Sequence, residues 1–421
     1  MDLAINIQAF TRGLGVDGIE FSGLKKKLDL LFDSLDIENV IIGWANNKKL
    51  YEETKEYLEK RKAKMLLWFP VFSELGYFRE FQPVVDFRGN KISSYKLQEG
   101  ENFEFYCPTN KDNLRNVIEI FEQEYFAETG FDGVFLDKIR YPSLSNGMNS
   151  VFSCFCPECK KAMADYGIDV DELLHELADM IEDGPEFKLR KQIPIRENSD
   201  FTYEFENPVL KKFFDFKNHN ICSSVEKLCS HFKEKNLIVG LDVFAGSIAY
   251  FVGQDLRKLA DHADFIKPMY YRKTNAPAGM QFELNNIFKV FTLMGNSTYP
   301  DFNEKNAFGY DRTLKELKAL KALDGKTRIY PGFEVNRIDN VAPVYPDYVS
   351  ESMKLVEESG MKGAVISWDI MNAPEDNIGA LINILARKIE CFHYWSCPES
   401  MDGYAEIKPL EEPCCEVNPF R

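Results

Sequence analysis

The stretch Gly130-Phe131-Asp132-Gly133-Val134-Phe135-Leu136-Asp137-Lys138-Ile139-Arg140-Tyr141-Pro142 decides how the rest of the chain is read. A short continuous apolar run bounded by glycine and ended by charge fits a strand buried on both faces, as parallel sheets require. It stops at Asp137. In barrels of parallel strands, the side chains that do chemistry sit where strands run into the following loops.

The same signature recurs along the chain in both directions. Strands are expected at Ala4–Phe10, Asn39–Trp44, Lys64–Val71, Gly133–Asp137, Leu237–Val243, Phe265–Tyr271, Arg328–Phe333 and Gly363–Trp368. Helical patterns alternate with them at Leu24–Ser34, Lys49–Arg61, Lys111–Phe126, Pro208–Lys233, Gln254–Ala263, Arg312–Leu323, Tyr348–Ser359 and Glu375–Glu390. Alternation of this kind predicts an α/β fold, a (β/α)8 TIM barrel over residues 1–390. Long insertions are expected after strand three (about 72–110) and strand four (about 138–206), the second with a helix at Asp169–Ile181 and a charged, exposed segment. An irregular C-terminal cap is expected over 391–421. A doubly wound open sheet is the alternative, but no Gly-x-Gly-x-x-Gly follows strand one and no Walker loop is present.

The composition agrees with a large globular domain: of 421 residues, 45% are hydrophobic and 28% charged. A net charge of −16 disfavours nucleic acid and anionic membranes as partners. With neither a signal-like start nor an apolar run of about 20 residues, the expected location is cytoplasmic. In that compartment the ten cysteines read as metal ligands or buried thiols rather than disulfides.

Three of those cysteines form Cys154-x-Cys156-x-x-Cys159, and Cys107 in Tyr106-Cys107-Pro108 is the natural fourth. Four thiolates complete a tetrahedral shell with no place for water, which predicts structural Zn2+. The other cysteines lack such spacing; Cys391, His393 and Cys397 make only a weak second grouping, and Cys414-Cys415 is read as structural.

The predicted strand ends are unusually polar and aromatic. They carry the carboxylates Asp137, Asp242 and Glu334, the indoles Trp44, Trp68 and Trp368, and Arg140, Tyr141, Lys267, Tyr270, Asn336 and Asp369. Carboxylates facing one mouth with aromatic walls suit glycosidic bond cleavage, which needs one carboxyl group as acid and a second as nucleophile or base. Lys267 interrupts an apolar strand. A buried lysine needs a partner, so it is expected to pair with Asp242 or Glu334, or to hold a neighbouring carboxylate ionised. None of the five histidines falls at a strand end, so a histidine-ligated metallohydrolase has no ligands to work with.

The cysteine pattern resembles the zinc cluster of the glycoside hydrolase family 42 β-galactosidases. Asp-Gly-x-x-x-Asp-x-Ile-Arg-Tyr-Pro (132–142) resembles strand four of several glycoside-hydrolase-like barrel families. The wider likeness spans most of the chain, including Val252-Gly253-Gln254-Asp255 and Ile266-Lys267-Pro268-Met269. This resemblance implies a carbohydrate partner, a homo-oligomer, and hydrolysis of a small oligosaccharide or glycoside; a carbohydrate-binding barrel without catalysis is the other reading. Family 42 topology would make Glu334 the nucleophile, although strand four here ends in Asp137 and not in that family's Asn-Glu. The α-amylase-like barrels use an Asp at strand four as nucleophile and an acid one strand later, which selects Asp242. Asp137 with Glu334 is the favoured pair, with Asp242 third. The likeness to family 18 chitinases stops at Ile139, which occupies the position of their acid.

Overall fold

A computed structural model describes residues 3–94, 101–182, 187–294 and 309–393. Its strands are β1 (Ala4–Phe10), β2 (Ile37–Gly43), β3 (Lys64–Pro70), β4 (Gly133–Asp137), β5 (Ile193–Glu197), β6 (Tyr203–Phe205), β7 (Ile238–Phe244), β8 (Phe265–Met269), β9 (Phe291–Leu293), β10 (Arg328–Ile329), β11 (Gly332–Glu334) and β12 (Gly363–Ser367). The helices used below are α1 (Phe21–Phe32), α2 (Lys48–Glu59), α3 (Lys111–Ile120), α4 (Pro157–Asp165), α5 (Val170–Met180), α6 (Pro208–Glu234), α7 (Leu256–Leu259), α8 (Met280–Val290), α9 (Tyr310–Leu320), α10 (Pro346–Ser359) and α11 (Glu375–His393).

The main sheet runs β8-β11-β12-β1-β2-β3-β4-β7 and closes through β7 on β8, all parallel. It is the expected eight-stranded barrel, its seventh strand split into β10 and β11. The two-residue period of a strand then sorts side chains into two cores. Ile7, Val40, Leu67, Leu136, Val243 and Ile366 point outward into a core shared with the helices. Phe10, Ile41, Leu66, Trp68, Phe135, Phe265, Tyr330 and Val365 fill the barrel interior. Burying a large side chain of this kind contributes about 1.5–3 kcal/mol.

Register decides which polar groups meet inside. Trp68 lies beside Phe135 and Pro70 beside Asp137, while Asp242 lies beside Lys267. Room for that lysine comes from Gly332, where a Cβ would stand 2.2 Å from Lys267 Cε.

Several features differ from expectation. The segment after β4 read as charged and exposed instead supplies β5 and β6, which pair with each other and, through β5, with β9. Ile193, Ile195, Tyr203 and Phe205 are buried there. The expected helix 254–263 shrinks to α7, capped by Asp255, and helix α8 forms where the sequence pattern suggested none. At the C-terminus α11 continues to His393 and takes in Cys391; the rest of the expected cap, with Cys397, Cys414 and Cys415, lies outside the described residues. Among the described residues no helix is long and apolar enough to cross a membrane.

Candidate active site

The carboxyl ends of β2, β3, β4, β7, β8 and β12 open into one cavity. Its lining includes Trp44, Trp68, Asp137, Arg140, Asp242 and Trp368, six of the residues selected from sequence.

Asp242 lies at the base, 2% exposed, with Oδ2 accepting from the Lys267 ammonium at 3.0 Å. Lys267 also donates to Gln8 Oε1 at 3.1 Å and to the Tyr271 hydroxyl. The ammonium thus fixes one carboxylate oxygen, while Oδ1 has no hydrogen-bond partner among the described residues. Burial drives the Asp242 pKa up to about 7; Lys267 opposes the rise and the nearby Asp137 charge adds to it. Burial likewise lowers Lys267, with Asp242 acting against it. A carboxyl group that titrates near neutrality can hold a proton to give away.

Asp137 terminates β4 closer to solvent. Its Oδ2 accepts from Trp68 Nε1 at 2.8 Å and its Oδ1 from the Lys138 backbone N–H. The Trp68 indole therefore both walls the cavity and orients this carboxylate. Trp44 packs edge-on against Trp68 at 5.5 Å between ring centroids, and Phe10 buttresses both.

One wall was selected from sequence only at Arg140. The Lys138 ammonium sits 4.4 Å from the Trp44 ring centre and 3.9 Å from that of Phe103, and pairs with buried Glu74. Glu74 also accepts from the backbone N–H groups of Asn102 and Phe103, so one carboxylate pins the long loop after β3 to the loop after β4. Glu74 (φ 66°) and Lys138 (φ 51°) both adopt the left-handed backbone region, uncommon for residues with side chains and enriched where a site over-determines its geometry. Arg140 is sandwiched between the rings of Phe105 and Phe244 at 4.7 and 4.6 Å. Thr274 and the Ala276-Pro277-Ala278 turn complete the rim. Phe244 and Met269 were legible in principle, each standing two residues beyond an inward-facing charged residue. The loop residues Glu101, Phe103 and Thr274 carried no such signal.

The remaining selected residues lie elsewhere. Glu334 does not line the cavity. Its Oε1 accepts from the backbone N–H groups of Lys273 (2.6 Å) and Thr274 (3.2 Å), and its Oε2 from the Tyr348 hydroxyl at 2.6 Å, so it ties the loop after β8 to α10. Asp369 is turned to backbone work, accepting from the N–H groups of Phe10 and Met371 at 3.1 and 2.9 Å. Asn336 accepts from the Trp368 N–H at 3.3 Å and steadies that indole from behind. Tyr270 donates to Glu316, away from the mouth. Tyr141 is buried beside the cysteines, its hydroxyl bonded to Asn220. Lys267 stands below the cavity, one residue removed from it by Asp242.

The four selected cysteines do converge. The sulfur atoms of Cys107, Cys154, Cys156 and Cys159 all lie within 4.8 Å of one another and are buried. Cys107 stands 3.5 Å from Cys156 and 3.4 Å from Cys159. Sulfurs about 2.3 Å from a shared tetrahedral ion would be separated by about 3.8 Å, so the set fits a single ion. Cys156 caps α4, where Pro157 occupies the first turn, and accepts from the Cys159 N–H at 3.4 Å. Cys154 accepts from the Val85 N–H at 3.5 Å and Thr109 bonds Cys159 at 3.0 Å, contacts of the sort that orient metal-bound thiolates. This group joins the insertions after β3 and β4 behind the cavity wall.

No family model matches the sequence, and no curated protein matches it. Solved structures do resemble it in fold. The PgaB (BpsB) glycoside hydrolase domain from Bordetella bronchiseptica matches 91% of this chain and 99% of its own, at TM-score 0.56 and 12% identity. The β-galactosidase from psychrophilic Marinomonas ef1 gives TM-score 0.56 and 9% identity over 93% of this chain, which spans 60% of that enzyme. α-L-Fucosidase isoenzyme 2 from Paenibacillus thiaminolyticus gives TM-score 0.51 and 11% identity, with 94% and 50% covered. The chain thus has the (β/α)8 barrel fold found in glycoside hydrolases, with a four-cysteine cluster able to hold a metal ion.

Proposed function

We propose that this protein is a glycosidase whose carboxylate pair is Asp137 and Asp242. The observation that carries this reading is their convergence: both line one aromatic-walled cavity from neighbouring strands, and burial brings one of them to a pKa of about 7. Glu334, the partner favoured from sequence, is occupied by Lys273, Thr274 and Tyr348 outside that cavity.

In this reading Asp242 is the acid. Its Oδ1, without a hydrogen-bond partner among the described residues, delivers a proton to the glycosidic oxygen while the bond from that oxygen to C1 breaks. The electron pair of that bond stays with the departing oxygen, which leaves as an alcohol. Asp137 meets the electron-poor C1, either bonding to it directly or taking a proton from the water that does. Trp68 aims the carboxylate, and the half-buried indole of Trp368 offers a flat face to the C–H side of a sugar ring. The cavity is concave and lined by aromatic rings with a few charged groups, as small-ligand sites are, and a small glycoside or oligosaccharide is the proposed substrate. The cysteine cluster would hold zinc, which would tie the two insertions together and take no part in bond cleavage.

The test is release of the aglycone from a panel of α- and β-linked aryl glycosides, with the anomer first formed identified by NMR. Turnover of one sugar class supports the reading. Saturable binding of sugars without release of any aglycone would replace it with a carbohydrate-binding barrel.

A further inference from the structure

The cavity is divided by chemistry. Apart from Asp242, the charged side chains that line it are Glu101, Asp137, Lys138 and Arg140, all from β4 or from the loops after β3 and β4. The strands on the other side supply a different surface. Phe244 and Met269 stand opposite each other in the register of β7 and β8, two residues nearer the mouth than Asp242 and Lys267. Both line the cavity, and the chain beyond β8 adds Ala276, Pro277 and Ala278. Met269 is 6% exposed, and Pro277 and Ala278 are half-buried. The hydroxyl groups of the same segment have little to offer a ligand: Tyr271 accepts from Lys267, and Thr274 is buried. Asn, Gln, Ser and His, neutral side chains that can pair with hydroxyl groups, are absent from the lining among the described residues.

This apolar shelf is fixed from behind. Ala278 adopts the left-handed region (φ 68°), and its N–H donates to the buried Glu283 carboxylate at 3.1 Å. Glu283 also accepts from the Ser143 hydroxyl at 3.0 Å, which ties the shelf to the loop after β4. At Gly279 a Cβ would stand 1.9 Å from the Thr274 carbonyl oxygen, so the turn closes only with glycine there. The N–H groups of Lys273 and Thr274 are held by Glu334. A surface preformed in this way loses little freedom when a ligand covers it.

The strands follow one another around the barrel as β4, β7 and β8. Asp137 ends the first, Asp242 belongs to the second, and the shelf is built on the third. In the cleavage proposed for this site Asp137 meets C1 and Asp242 protonates the oxygen that departs. The sugar then lies toward the charged side, and the departing group lies beyond Asp242 against the shelf. A second sugar there would give up water from its hydroxyl groups without neutral partners to replace it, whereas a hydrocarbon would bury apolar surface on apolar surface. We propose that Met269, Pro277 and Ala278 form the subsite of the departing group, and that the substrate is a glycoside with an apolar aglycone, an alkyl or aryl group. The proposal rests on the assignment of Asp242 as the acid.

The test measures binding of uncleavable substrates, which needs no turnover. Methyl, ethyl, propyl and butyl thioglycosides of glucose and galactose, in both anomers, are titrated calorimetrically into the full-length protein. Thio-linked disaccharides of the same sugars are titrated beside them. Each methylene that reaches the shelf is expected to lower Kd by about two- to fourfold, the upper value corresponding to full burial. Butyl should therefore bind at least about eightfold more tightly than methyl, and more tightly than the disaccharide. Ala278→Asn, which suits the left-handed backbone, and Met269→Gln each place an amide on the shelf and should flatten that series. A Kd that stays within about twofold from methyl to butyl would overturn the proposal, as would tighter binding of the disaccharide or no binding of any thioglycoside. Release of alcohol from the matching O-glycosides is scored separately. A flat series with turnover removes the apolar subsite and leaves the glycosidase; a steep series without turnover does the reverse.

Discussion

Replacing Lys267 by methionine is the perturbation for which the structure gives the most definite answer. The side chain is fully buried, and its ammonium lies 3.0 Å from Asp242 Oδ2. At an effective dielectric constant of about 20, unit charges at that separation attract by about 5.5 kcal/mol. That corresponds to about four units of pKa if nothing replaces the lysine. The Tyr271 hydroxyl and Gln8 remain and will recover part of it, so an upward shift of at least about one unit from the wild-type value near 7 is expected for Asp242. The assay is carbon NMR of labelled aspartate carboxyl groups across pH, with Asp242→Asn to assign the signal. Activity should follow: the alkaline limb of kcat/KM reports the acid of the free enzyme and should move to higher pH in the variant. Stability has a definite sign as well. A carboxyl group whose folded pKa lies above its unfolded value loses stability as pH rises from about 4 to the folded pKa, by about 1.4 kcal/mol per unit. The variant should therefore go on losing stability above pH 7, where the contribution of Asp242 in the wild type has levelled off. An unmoved or lowered Asp242 pKa would refute the ion-pair reasoning.

Asp137→Asn should lower the Asp242 pKa, because the Asp137 charge is one of the causes that raise it, and the same NMR titration reads the shift. Glu334→Gln should leave kcat within about tenfold of wild type, yet cost about 1–3 kcal/mol in chemical denaturation, since buried partners at Lys273, Thr274 and Tyr348 lose an ionised acceptor. Lys138→Met should raise KM more than it lowers kcat, because it frees Glu74 and loosens the Phe103 wall without touching either proposed catalytic carboxylate. Stripping metal with a strong chelator should lower the melting temperature, and added Zn2+ should restore it.

The barrel was legible because every strand is a short apolar run and the strand ends advertise themselves with charge or tryptophan. Asp137, Asp242, Trp44, Trp68 and Trp368 followed from that rule alone. Glu334 satisfies the same rule and yet is not among the residues that line the cavity. Strand parity does not record whether a terminal carboxylate is claimed by amides 60 residues distant, and here Lys273, Thr274 and Tyr348 claim it. The sheet of β5, β6 and β9 escaped notice for a related reason. Its strands are three to five residues long in polar surroundings, and β5 finds β9 about 100 residues away. The cysteine cluster could be found because metal ligation leaves its mark in local spacing.

One comparison tests the proposed carboxylate pair most directly: kcat for Asp137→Asn, Asp242→Asn and Glu334→Gln on the aryl glycoside that the wild type cleaves best. That pairing predicts losses of at least about 100-fold for each aspartate variant, the scale expected when a positioned acid or base is removed, with near wild-type turnover for Glu334→Gln. An active Asp242→Asn beside an inactive Glu334→Gln would contradict it.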